Sequence, residues 1–181
     1  MITYVALLRG INVGGKKLIK MEELVSVFAR SGFKNVRTFI QCGNVIFETA
    51  ETDTDALAKR IGRKILKTLG HDVTVVLRTI DELNTIVKRN PFRKVEPGAD
   101  VMMCVAFLAT EPASKLKLPL ISSTEKLEVL DIRDHAAFIL CHRKKTGWFG
   151  FPNNFIEKQL GVSATTRNWT TVRKIVAAAK A

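Results

Sequence analysis

The sequence predicts an α+β protein of two ferredoxin-like lobes, the second degenerate and carrying two C-terminal helices. Three observations predict it. Over the first half, helical and extended hydrophobic spacings follow one another in the order β-α-β-β-α-β. A stretch holding Pro91, Pro97 and Gly98 then breaks the pattern. A shorter run of similar elements follows. The expected division is a ferredoxin-like lobe over 1–89, a linker over 90–100, and a second ferredoxin-like lobe with C-terminal helices over 101–181.

Each element has its own signal. Ile2 to Arg9 is β-rich and apolar, and it runs into Gly10-Ile11-Asn12-Val13-Gly14-Gly15-Lys16-Lys17, a loop by its glycines. Met21, Leu24, Val25 and Phe28 recur at i, i+3, i+4 and i+7, one helical face with Glu22 and Glu23 in its first turn and Gly32 as its stop. Val36 to Gln41 and Asn44 to Glu48 read as strands around Cys42-Gly43, a hairpin. Asp53 to Leu69 is a helix with Leu57, Ile61, Ile65 and Leu69 on one stripe and Gly70 at its end. Val73 to Arg78 is a strand, and Thr79-Ile80-Asp81-Glu82 has the spacing of a capping box that opens a short helix ending before Pro91. Beyond the linker come a strand at Val101 to Leu108, a short helix after Pro112, and strands near Lys126 to Ile132 and Ala136 to His142. Helices over about Asn154 to Leu160 and from Trp169 onward close the chain.

Composition bounds the function. The 181 residues are 46% hydrophobic and 25% charged, which suits a packed soluble protein and excludes a disordered one. The longest apolar run, Val101 to Ala109, is far too short to span a bilayer, so no membrane association is expected. The chain opens on a strand-like segment without a basic leader, and its three cysteines (Cys42, Cys104, Cys141) are odd in number and widely spaced. A cytoplasmic protein with reduced thiols is the expectation.

The net charge of +12 is unevenly spread. Residues 9–20 hold Arg9, Lys16, Lys17 and Lys20 and no acid, while 143–181 hold eight bases against Glu157 alone. The rest is nearly neutral, with 17 bases and 16 acids. Concentrated basicity of this kind is the footprint of a polyanion.

The motifs sharpen that picture. Gly10-x-x-x-x-Gly15-Lys16 is one residue from a phosphate-cradling loop, but Lys17 occupies the hydroxyl position and the following β-β hairpin contradicts a parallel nucleotide-binding sheet. What survives is a basic loop whose amides and lysines hold a phosphate without hydrolysing it. Arg143-Lys144-Lys145-Thr146-Gly147-Trp148-Phe149-Gly150-Phe151 interleaves bases with aromatics; exposed, it would stack on unpaired bases, but the aromatics are expected in the core. Ser163 to Thr171, with Arg167 and Asn168, leads into the last helix and offers either an anion pocket or an N-cap. The Asp53 to Leu69 helix carries Lys59, Arg60, Arg63, Lys64 and Lys67, which a solvated face explains. Metal-ligand and hydrolase signatures are absent, so no metal and no cofactor are expected and no catalytic residue is assigned. Among the thiols, Cys42 alone sits beside a turn, as a bystander. His71 and His135 read as surface residues.

Leu8-Arg9-Gly10-Ile11-Asn12-Val13-Gly14-Gly15-Lys16 resembles the opening motif of a bacterial family catalogued as the domain of unknown function family 1697. The likeness continues through Val36-Arg37-Thr38, Gln41-x-Gly43-Asn44-Val45-Ile46-Phe47, Asn90-Pro91-Phe92 and Thr166-Arg167-Asn168-Trp169-x-Thr171. It implies an α+β protein on ferredoxin-like elements, and no activity. Members usually show Ser where Cys42 stands and Asn where Lys17 stands, which implies that neither residue is required.

The expected function is binding of a phosphate-bearing ligand, a nucleic acid or nucleotide. Arg9, Gly14, Gly15, Lys16, Lys17 and Lys20 would contribute from the glycine-rich loop, and Lys144, Lys145, Arg167 and Asn168 from the C-terminal region. Two alternatives stay open: an enzyme acting on a phosphorylated small molecule, and a structural or regulatory interaction module.

Overall fold

Strand β1 (Ile2–Leu8) is apolar at nearly every position, and its residues from Tyr4 to Leu8 are buried on both sides of the strand. The computed structural model describes residues 1–15, 17–112 and 116–180. After β1 come α1 (Met21–Ala29), β2 (Lys34–Thr38), β3 (Asn44–Thr49), α2 (Thr54–Leu69) and β4 (Val75–Thr79). The sheet order is β2-β3-β1-β4 with every neighbour antiparallel, the arrangement of a ferredoxin-like lobe. Alternation sends Tyr4, Ala6 and Leu8 to the helical side, where they join Phe28, Phe47, Leu57 and Ile65 in one core. Val5 and Leu7 point to the other face, and they too are buried, as are Ile46 and Val76.

Local chemistry sets the helix ends. Asp53 Oδ1 accepts the Ala56 N–H at 3.0 Å to open α2, and Gly70 closes it in a left-handed conformation. Helix α3 (Ile80–Arg89) begins with the expected capping box. Glu82 Oε2 accepts the Thr79 N–H at 2.7 Å while Thr79 Oγ1 accepts the Glu82 N–H at 3.1 Å.

The second sheet contains β5 (Val101–Leu108), β6 (Leu120–Ser122), β7 (Leu127–Arg133), β8 (Ala136–His142) and β9 (Ala164–Asn168), in the order β6-β7-β8-β5-β9. Helix α4 (Pro152–Leu160) precedes β9, and α5 (Trp169–Lys180) follows it. The four strands β7-β8-β5-β9 repeat the order of the first sheet, with β6 added at the edge. Two strands were not expected. β6 is three residues long, and β9 replaces the loop expected before the last helix. The sequence of β9, ATTRN, has no apolar alternation, and its ladder to β5, from Leu108↔Ala164 to Cys104↔Asn168, makes it a strand. The short helix expected after Pro112 would begin on 113–115, which lie outside the described residues, and residues 116–119 are not helical.

Two units make up the chain: Met1–Leu83 with Ile175–Ala181, and Asn84–Lys174. Their boundaries lie within α3 and α5, where composition shows no break. Among the described residues, no helix is long and apolar enough to cross a membrane.

Candidate functional site

In the first unit, the glycine-rich loop joins β1 to α1. Ile11 and Ile19 are buried and hold its two ends, and Asn12 ties them together. Asn12 Nδ2 donates to the Ile19 carbonyl at 3.0 Å and to the Gln41 carbonyl at 3.1 Å, and Asn12 Oδ1 accepts the Ile19 N–H at 2.8 Å. Gly14 and Gly15 are exposed, with φ of +59° and +73°, and a Cβ on either would meet nothing within 4 Å. Glycine is needed there for backbone freedom and not for space. A phosphate cradle alternates right- and left-handed residues so that successive N–H groups converge, whereas these two both have positive φ.

The cations of this loop differ in availability. Arg9 lies half-buried, its N–H donating to the Thr74 carbonyl at 2.9 Å. Lys17 Nζ donates to the Asp72 carbonyl. Lys20 is exposed, and its N–H donates to Glu23 Oε2 at 3.2 Å at the start of α1. Lys16 lies outside the described residues.

In the second unit, most of the predicted cations have partners. Lys144 Nζ donates to Glu125 Oε2 at 2.8 Å, while Lys145 is exposed with no ion pair among the described residues. Arg167 is only 9% exposed, and its Nη1 donates to Thr165 Oγ1 and to the Thr166 carbonyl, both at 2.9 Å. Asn168 Oδ1 accepts the Thr171 N–H at 2.8 Å and caps α5. The aromatics overturn an expectation. Phe149 is half-buried, but Trp148 is 77% and Phe151 59% exposed, so two of the three are not core residues.

A second group of cations lies elsewhere in the first unit. Arg60, Arg63, Lys64 and Lys67 project from α2 at i, i+3, i+4 and i+7 and line an open cleft of about 350 Å³ with Ser31, Phe33 and Ile61. No acid lines it. Arg60 pairs with Glu51 at 2.5 Å, and its guanidinium stands 5.3 Å from the centre of the Phe33 ring. Arg63, Lys64 and Lys67 make no ion pair among the described residues. The apolar stripe Leu57-Ile61-Ile65 docks the helix beside this basic stripe, which fixes where the charge points. Sequence reasoning gave these bases to solvent. Their own i, i+3, i+4, i+7 spacing was the signal that they share a face.

A family model described as a protein of unknown function, DUF1697, matches residues 1–138, from β1 into β8. The chain belongs to the DUF1697 family. None of the curated proteins matches it. Among solved structures it is similar to a conserved bacterial protein, SP0830, from Streptococcus pneumoniae, at 20% identity and a TM-score of 0.61, over 100% of this chain and 99% of that one. At that identity the likeness shows a shared fold.

In this DUF1697 chain a second cavity, of about 410 Å³, lies in the second unit between Leu108, Leu118, Ile132 and Leu160, with Glu111 and His135 at its edge. His135 Nε2 stands 3.4 Å from Glu111 Oε1. Among the described residues, no cluster of His, Cys, Asp or Glu could hold a metal ion. The thiols divide by burial. Cys42 is exposed, whereas Cys104 and Cys141 are buried with their sulfurs 3.7 Å apart. The hydrogen bond with Cys141 and burial push the Cys104 thiol well above its ordinary range. A thiol reagent at neutral pH is therefore expected to label one cysteine rapidly in the native protein and the other two only in denaturant. Two fast equivalents would contradict this placement.

Proposed function

We propose that the protein binds a phosphate-bearing polyanion, a nucleic acid, through the α2 cleft of its first unit. One observation carries the reading: four cations of one helical stripe line an acid-free cleft, and three of them lack an ion-pair partner among the described residues. Like charges at i, i+3 and i+4 repel, at about 0.2–0.5 kcal/mol per pair, and Arg60/Lys64 and Arg63/Lys67 are two such pairs. An anion in the cleft relieves that repulsion, and a strand of phosphates does so along the whole stripe. Phe33 and the aliphatic stems of Arg60 and Lys64 give the cleft an apolar floor against which a sugar can lie. Within the first unit, Lys20 and the loop residues expected from sequence become secondary contributors, because Lys17 already has a partner.

Single-strand RNA-binding domains built on this topology stack bases on an open sheet, but Val5, Leu7, Ile46 and Val76 are buried. Titration of fluorescent single-stranded and duplex oligonucleotides by anisotropy, across salt, tests the reading. Log affinity is expected to fall against log salt with a slope of about −2 to −3 for single strands, corresponding to three or four phosphates. Absence of binding at low salt, salt-independent binding, or binding to anionic vesicles but not to oligonucleotides would each overturn it.

A further inference from the structure

Trp148 stands 77% exposed on the segment between β8 and α4, yet the segment is firmly held. Arg143 organises it. Its Nε donates to Asp100 Oδ1 at 3.0 Å, its Nη1 to the Gly147 carbonyl at 3.0 Å and its Nη2 to the Ala99 carbonyl at 2.6 Å. The same guanidinium lies 4.9 Å from the centre of the Phe149 ring. The Lys144 N–H donates to the Trp148 carbonyl at 2.8 Å, closing a tight turn around Gly147. Gly150 passes so near the turn between β6 and β7 that an added Cβ would sit 2.1 Å from the Glu125 carbonyl oxygen. Lys144 reaches the Glu125 carboxylate from the same segment.

An indole kept in water at the tip of a fixed turn forgoes burial worth roughly 1.5–3 kcal/mol, and neighbouring apolar residues do not recover it. We propose that Trp148 is a stacking platform for an unpaired base of a single-stranded nucleic acid, with Lys145 beside it for a phosphate. This rests on the polyanion reading and concerns the second unit by itself. Size decides the class of partner. Trp148 and Phe151 together can bury roughly 300–500 Å², well short of the ~800 Å² that each side of a stable protein interface buries. One base needs only one ring face. Within 143–151 Arg143 is paired with Asp100 and Lys144 with Glu125, which leaves the exposed Lys145 to meet a phosphate.

Trp148 and Trp169 are the two tryptophans, and Trp169 is only 7% exposed, so the difference between wild type and Trp148→Phe isolates the exposed emission. The full chain is titrated with an oligothymidylate, an abasic oligomer of equal length, and a duplex. The oligothymidylate is expected to quench Trp148, and Trp148→Ala to weaken its binding by about 5- to 100-fold. Trp148→Phe, which keeps an aromatic face, should retain most of the affinity. The abasic oligomer and the duplex should bind without quenching and be indifferent to Trp148→Ala. If the oligothymidylate binds with Trp148 emission unchanged and Trp148→Ala binds like wild type, the stacking proposal falls and the polyanion reading stands. If no oligomer binds at low salt, both fall.

Discussion

Reversing two charges on α2, Arg63→Glu with Lys67→Glu, is expected to lower affinity for a single-stranded oligonucleotide by roughly two orders of magnitude at ~50 mM salt. The estimate follows from counterion release. Each phosphate contact to a single strand contributes about 0.7 to the slope of log affinity against log salt, so two lost contacts remove about tenfold each at that concentration. The slope itself should shrink by about 1.4. Stability should move the other way. Arg63 and Lys67 are exposed, lie four residues apart and have no carboxylate partner among the described residues, so the reversal exchanges repulsive i, i+3 and i, i+4 pairs for attractive ones with Lys59, Arg60 and Lys64. Urea denaturation should show a gain of up to about 1 kcal/mol in the absence of ligand, most visible at low salt. A variant that binds weakly because it is poorly folded cannot produce this pair of results. Wild-type affinity in the double variant would remove α2 from the interface.

Phe47→Ala is expected to cost about 3–5 kcal/mol, a large part of the total stability of a domain. Phe47 lies on β3 opposite Tyr4 and is fully buried on the helical face of the first sheet. Its ring centre is 4.6 Å from that of Phe33, 5.3 Å from Phe28 and 5.7 Å from Tyr4. Truncation leaves a cavity among three aromatics that cannot collapse into it, because Tyr4 is fixed in the sheet and Phe28 in α1. The check is a urea or thermal midpoint with the denaturant slope unchanged. A loss under 1.5 kcal/mol would mean that this cluster packs loosely. Phe33 also forms the floor of the α2 cleft, so the aromatic core and the basic stripe share a wall.

Much of the first unit was legible residue by residue. The periodicity of Met21, Leu24, Val25 and Phe28 placed α1, Asp53 and Gly70 bounded α2, and Thr79 with Glu82 opened α3. These signals act within one or two turns, where propensity and capping decide the backbone. The second unit was read less completely. β9 is polar, and Arg167 and Thr165 are buried on it by pairing with β5, some sixty residues earlier in the chain. A segment of that composition reads as a capped loop until its partner strand is known. The 143–151 segment misled for a related reason. Its aromatic content suggested a core element, but Gly150 against Glu125 and the Arg143 hydrogen bonds turn Trp148 outward.

The sequence alone determined the α+β class, the order of elements in the first lobe and the uneven distribution of +12 charge, because composition and short-range periodicity carry all three. Tertiary structure decided which of those charges are available. Lys17 meets a carbonyl 55 residues away, Lys144 a carboxylate 19 residues away, and Arg167 is buried in a strand. Arg63, Lys64 and Lys67 keep their charge open on an acid-free cleft. Ion pairing and burial depend on neighbours distant in sequence, so counting bases along the chain locates charge without saying whether it is already neutralised.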